Sequence, residues 1–177
     1  IDAMQHGGGQ EKGLRAGTEN VPGIVGLGKA AEIATRELND RVAHVTALRD
    51  KLISGIQRKI GDIKLNGHPT KRMPGNVNFS FLYVEGESLL LNLDLKGIAA
   101  SSGSACTSGS LDPSHVLLAM GLPHEVAHGS LRISLGRGNT EQEIDYCLEV
   151  LPEIIDRLRS MSALSASAKL AEANPCS

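Results

Sequence analysis

Cys106 sits where a mobile nucleophile would be expected, in Ser101-Ser102-Gly103-Ser104-Ala105-Cys106-Thr107-Ser108-Gly109-Ser110. A loop of such small residues can expose a thiol and let it move between partners, as nucleophilic transfer requires. On the loop alone, a flexible linker with an incidental cysteine is the simpler reading. His124-Glu125-Val126-Ala127-His128 is the rival centre, because it matches the zinc-hydrolase pattern of two ligands one helical turn apart with a glutamate to activate water. Pro123 and Gly129 bracket only that turn, and no third ligand is evident from spacing, although Glu141, Glu143 and Glu149 are at hand. We therefore expect a short helical turn with a solvated histidine pair and no metal. Gly23-Ile24-Val25-Gly26-Leu27-Gly28-Lys29-Ala30 nearly spells a phosphate-binding loop, but Ala30 stands where a magnesium-binding hydroxyl is needed, and the segment continues a helical stripe.

The elements that must position these residues follow from periodicity. Residues 5 to 20 are Gly-rich and polar, which predicts a loop open to close backbone approach. Asn20 and Pro22 suit a helix start. Apolar residues then recur every three or four positions from Ile24 to Ile60, predicting one long helix or two, with a kink or domain boundary at Asn39-Asp40. Val77 to Phe81 alternates as a half-buried strand, Glu87 to Leu95 reads as a helix, and Ile98-Ala99-Ala100 as a short strand entering the Cys106 loop. Ser114 to Met120 reads as a further helix. Ser130 to Ser134 alternates again, so Arg132 points away from the core side held by Leu131 and Ile133. Thr140-Glu141-Gln142-Glu143 is a capping box before a terminal helix whose stripe carries Ile144, Leu148, Leu151, Ile155 and Leu158. Cys147 falls on that stripe as a packing residue, and Cys176 belongs to a tail. Strands interleaved with helices predict a compact α/β or α+β sandwich over residues 39 to 160, a small sheet covered by helices.

Composition sets the outer limits. The 177 residues carry a formal net charge of -2, without a polybasic stretch, which points to small-molecule or protein partners and away from nucleic acid. No apolar run approaches the roughly 20 residues of a membrane helix, and the N-terminus lacks signal-peptide order, so a soluble cytoplasmic protein is expected. An odd count of 3 cysteines without close spacing predicts free thiols. Ile1-Asp2-Ala3-Met4 runs straight into His6-Gly7-Gly8-Gly9-Gln10, an opening that reads as truncated.

Four stretches, taken in order, resemble the C-terminal half of NifS/IscS-type cysteine desulfurases. They are His6-Gly7-Gly8-Gly9-Gln10-Glu11 with Gly13-Leu14-Arg15-Ala16-Gly17-Thr18, then Val84-Glu85-Gly86-Glu87-Ser88, the Cys106 loop, and Leu131-Arg132-Ile133-Ser134-Leu135-Gly136-Arg137. These enzymes are fold-type I pyridoxal-phosphate proteins related to class V aminotransferases. The resemblance spans roughly residues 1 to 160 and is most specific at the Cys106 loop. It implies that Cys106 takes sulfur from L-cysteine as a persulfide, releasing alanine, and passes it to an iron-sulfur scaffold or another acceptor protein. It implies that Arg132 grips the substrate carboxylate, and that Thr18 reaches the cofactor phosphate across a homodimer interface. By the same resemblance, residues 1 to 38 are a remnant of the large cofactor domain, 39 to 160 the small domain of a fold-type I transferase, and 161 to 177 a tail. The cofactor lysine in its Ser-x-His-Lys setting is absent, so this chain alone is expected to be inactive. Selenocysteine lyase is the nearest alternative. From other classes come a zinc hydrolase using His124, Glu125 and His128, and an interaction domain for which Cys106 is dispensable.

Overall fold

Helix formation begins where Asn20 supplies a cap. Its side-chain oxygen accepts from Gly23 N at 3.1 Å, and its carbonyl from Ile24 N at 2.9 Å. This occupies donors that the first helical turn leaves unpaired. The resulting helix α1 spans Val21–Lys59 in the computed structural model, which describes residues 2–102 and 113–162. At Asn39-Asp40, where a kink or a domain boundary is expected, the helical hydrogen bonding is continuous, and the division of the chain into two units falls between Asp40 and Arg41. Sharp kinks require Pro, a Gly/Ser pair or a bulge, and Asn and Asp inside a helix cost only a fraction of a kcal/mol, roughly 0.7 at most.

The chain divides into two compact units, Ile1–Asp40 and Arg41–Ser177. In the first, Gly17 N donates to Gly8 O at 2.7 Å, tying the Gly-rich loop to itself. A single 3-10 turn lies at Glu11–Gly13. The helical residues of this unit are mostly exposed, Ile24, Val25, Leu27 and Leu38 among them. Their ion pairs, Lys29 to Glu32 and Arg36 to Glu32 and Glu37, lie at the surface and contribute little.

The second unit holds the core. Strands β1 (Ile63–Leu65), β2 (Asn76–Phe81) and β3 (Ser130–Ser134) form an antiparallel sheet in the order β1-β2-β3. Val77, Phe79 and Phe81 of β2 and Leu131 and Ile133 of β3 turn to one face and are buried. Against them pack Leu48, Leu52 and Ile56 of α1, Leu89 and Leu93 of α2 (Gly86–Asp94), and Leu148, Leu151 and Ile155 of α5 (Glu141–Met161). Each fully buried aliphatic side chain contributes about 1.5–3 kcal/mol. The helices thus cover one side of a small sheet, the α/β layering expected from the alternation of elements. Two short helices, α3 (His115–Ala119) and α4 (His124–His128), make a satellite cluster through Leu117, Leu122 and Ala127.

The capping box forms as expected: Glu143 N donates to Thr140 Oγ1 at 3.3 Å, and Thr140 N to Glu143 Oε2 at 2.9 Å. Cys147 packs in the core, and burial pushes its thiol up to about 11. The expected strand at Ile98-Ala99-Ala100 does not form. Ile98 N instead bonds Leu93 O and closes the end of α2, leaving only Ser101 to bridge to β3. Among the described residues, no helix is long and apolar enough to cross a membrane.

Candidate functional site

The polar face of the sheet carries the candidate site. Along β3, Ser130 and the apolar residues are buried while Arg132 and Ser134 are exposed, so Arg132 projects from the side opposite Leu131 and Ile133. Its backbone is held on the edge of β3 away from β2: Arg132 N donates to Ser101 O at 2.6 Å, and Ser101 N to Arg132 O at 3.0 Å. The segment leading into the Cys106 loop is therefore bolted to the arginine. Cys106 itself lies outside the described residues, which resume at Pro113 and Ser114, both buried. No hydrogen bond or ion pair engages the Arg132 guanidinium among the described residues.

Next to Arg132, the same face bears a layer of amides and hydroxyls. Asn66 Nδ2 donates to Asn78 Oδ1 at 2.7 Å and to Ser80 Oγ at 2.9 Å. Asn66 is fixed in turn by its N–H to Asn78 O and by Arg72 Nη2, which donates to its carbonyl at 2.9 Å. Asn66 Oδ1 is buried without a partner among the described residues, which leaves this layer an incomplete network. Sequence alone does not single out Asn66, Asn78 and Ser80. The polar alternation Asn76, Asn78, Ser80 was visible, but joining Asn66 to it required the β1–β2 register.

Helix α2 backs onto this region through Gly86. A Cβ there would lie 2.7 Å from His128 O, 3.3 Å from Ser130 O and 3.7 Å from Ser102 Cβ, so only glycine permits the approach. Glu85 caps the helix by accepting from Glu87 N at 2.9 Å and Ser88 N at 2.6 Å. Burial raises its pKa, but the hydrogen bonds from Ser88 and Glu87 and the nearby His128 outweigh that and hold it below the ordinary 4.5. A depressed carboxyl pKa contributes stability that is present above the ordinary value and lost as pH falls through the depressed one. Glu85→Gln should accordingly be less stable than the parent at neutral pH, with the gap closing in acid. Thermal melts across pH 3 to 7 check this, and a gap independent of pH would contradict it.

His124 and His128 stand one turn apart on α4, ring centroids 5.1 Å apart and tilted by 54°. The helix is the single turn expected from its bracketing Pro123 and Gly129. Among the described residues no group of three His, Cys, Asp or Glu is arranged to hold a metal. With Leu82, Tyr83, Val84, Glu85, Glu125, Val126 and Ser162, the two histidines line a cavity of about 470 Å³.

In the first unit, Arg15 Nη1 donates to Gly17 O at 2.8 Å and to Thr18 O at 3.0 Å, pinning the turn that presents Thr18. The Thr18 side chain is exposed, and its hydroxyl makes no hydrogen bond among the described residues.

Comparison with known proteins gives this arrangement a family. The Aminotransferase class-V family matches residues 4–147. A cysteine desulfurase IscS of Methanosarcina thermophila is 61% identical over 165 residues, covering 93% of this chain and 41% of the relative. Cysteine desulfurase IscS 1 of Archaeoglobus fulgidus is 59% identical over 158 residues, covering 89% of this chain and 41% of its own length. Among solved structures, a NifS-like protein from Rickettsia africae superposes with a TM-score of 0.73 at 32% identity, over 87% of this chain and 40% of that one. The chain thus spans about two fifths of the length of the curated relatives it matches. A match over most of its residues, in sequence and in fold, makes this chain a member of the class-V aminotransferase family.

Proposed function

We propose that this chain is the C-terminal part of a cysteine desulfurase, a cytoplasmic, pyridoxal-phosphate-dependent homodimer. It takes sulfur from L-cysteine onto Cys106 and hands it to an acceptor protein for iron-sulfur cluster assembly. The observation that carries the reading is the Ser101–Arg132 bridge, because it holds Ser101, five residues before Cys106 in sequence, against the strand residue whose guanidinium is exposed and unpaired among the described residues. Covalent geometry over that span keeps Cys106 within about 18 Å of Ser101.

In this reading Arg132 binds the substrate carboxylate through its planar fork and holds the amino acid in register with the thiol. Cys106, as thiolate, attacks the substrate sulfur; the new S–S bond forms as the carbon–sulfur bond breaks, leaving a persulfide on Cys106 and alanine after protonation. Bound pyridoxal phosphate supplies the electron sink for the pair released at carbon. Thr18 fits a contact to its phosphate: an exposed hydroxyl, without a hydrogen bond among the described residues, on a turn that Arg15 holds still. We assign residues 1 to 38 to the large cofactor domain, 39 to 160 to the small domain and 161 to 177 to a tail. None of the lysines has the Ser-x-His-Lys setting, so cofactor attachment belongs to the part of the relatives that this chain does not span. Cys147, with its thiol pushed up to about 11, is a core residue and not a competing nucleophile.

Arg132→Lys in the full-length enzyme tests the carboxylate assignment, since lysine keeps the charge and loses the fork. We expect kcat/KM for L-cysteine to fall by about 2 kcal/mol, roughly thirtyfold. Unchanged kinetics would remove Arg132 from the site.

A further inference from the structure

We propose that Asn78 is a second substrate-binding residue, donating through Nδ2 to the same carboxylate that Arg132 holds; the inference rests on the desulfurase reading above. Asn78 and Arg132 are direct partners in the β2–β3 register. The flanking bonds define the kind of pair they make. Leu135 N bonds Gly75 O and Phe81 N bonds Gly129 O, so the odd-numbered residues of β2 hold the hydrogen-bonded positions. Asn78 and Arg132 therefore occupy a non-hydrogen-bonded position, where side chains on one face stand closest, with Cβ atoms about 4.5–5.5 Å apart. Arg132 spends its backbone bonds on Ser101 instead, which agrees with this assignment.

The orientation of the amide follows from its other neighbour. Asn66 donates to Asn78 Oδ1 from the β1 side, which turns Nδ2 away from β1. That nitrogen bears two donors and makes no hydrogen bond among the described residues. The guanidinium beside it is likewise unpaired. Two donor groups without protein partners among the described residues, one charged and one neutral, thus share one polar face of the sheet. Their common complement is an anion with two acceptor oxygens, and an α-carboxylate is such a group. The rigidity of Asn66, held through its N–H, carbonyl and amide, makes the second donor pre-organised rather than recruited.

The discriminating variant is Asn78→Asp in the full-length enzyme. It preserves the shape and the oxygen that accepts from Asn66, but replaces the donor with negative charge. Asn78→Ala is the companion that removes the donor without adding charge. L-cysteine, and cysteamine as the same thiol and amine without a carboxylate, are the probes, each measured for steady-state kinetics and for binding by calorimetry. We expect Asn78→Ala to weaken L-cysteine binding and raise KM about tenfold with kcat within about twofold, and Asn78→Asp to do so about a hundredfold. Cysteamine binding should be unchanged by Asn78→Ala. The proposal is overturned if Asn78→Asp binds L-cysteine as the parent does, or if L-cysteine and cysteamine weaken equally, which would mark Asn78 as a residue of fold only. Arg132→Lys run alongside separates the two claims. An effect at Arg132 with none at Asn78 removes Asn78 alone, whereas no effect at either removes the carboxylate site.

Discussion

In the full-length enzyme, Cys106→Ser should abolish alanine release from L-cysteine, with kcat falling at least about a thousandfold, some 4 kcal/mol in the barrier. Serine nearly preserves the shape, so the loop should fold, but its hydroxyl has a far higher pKa and is a poor nucleophile toward sulfur. In the proposed mechanism substrate capture rests on other groups, Arg132 foremost, and should survive: the absorption of the bound cofactor should still respond to L-cysteine with near-parental affinity. That split between intact binding and lost sulfur transfer is what distinguishes removal of a nucleophile from general damage. Cys147→Ser should retain turnover, at some loss of stability, because Cys147 lies in the core with a thiol raised to about 11. Parental turnover by Cys106→Ser would sink the assignment.

The largest structural effect is expected at Gly129, which joins α4 to β3. A Cβ at this position would lie 2.3 Å from Phe81 O and 2.8 Å from Val84 O. Both are backbone atoms, and Phe81 N is already bonded to Gly129 O at 2.9 Å, so the strands cannot separate without losing the pairing that seats Arg132. Gly129→Val should therefore cost about 3 kcal/mol, lowering Tm by roughly 10 °C. Gly138→Ala is the matched control, since a Cβ there meets nothing within 4 Å. Its effect should stay within about 0.5 kcal/mol. Equal melting temperatures for the two variants would show that the close approach at Gly129 is not a constraint.

How far the site could be read in advance depended on the range of the interactions involved. Arg132 facing away from the core was legible, because alternation over Ser130–Ser134 is a local property of a strand. The Thr140–Glu143 capping box and the Asn20 cap were legible for the same reason: each closes within three residues. Strand β1 was not, as three residues with a lysine at the centre carry no periodic signal. Nor was the Ser101–Arg132 bridge or the Asn66–Asn78–Ser80 layer, which exist only once segments far apart in sequence are in register. The kink or domain boundary expected at Asn39-Asp40 does not end the helix, because two weak helix formers cost little inside a long one, while the division into two units falls at that position. The roles given to Cys106 and Thr18 came from resemblance alone: small residues around a thiol, or a threonine before a helix, do not by themselves specify chemistry.

Sulfur that passes through Cys106 can be located there directly. The full-length protein is given L-cysteine, its persulfide is trapped with an alkylating reagent, and the added sulfur is assigned by peptide mass. One extra sulfur is expected on the peptide containing Cys106 and none on those containing Cys147 or Cys176. Sulfur found on either of the latter, or L-cysteine turned over with no persulfide on Cys106, would contradict passage through Cys106.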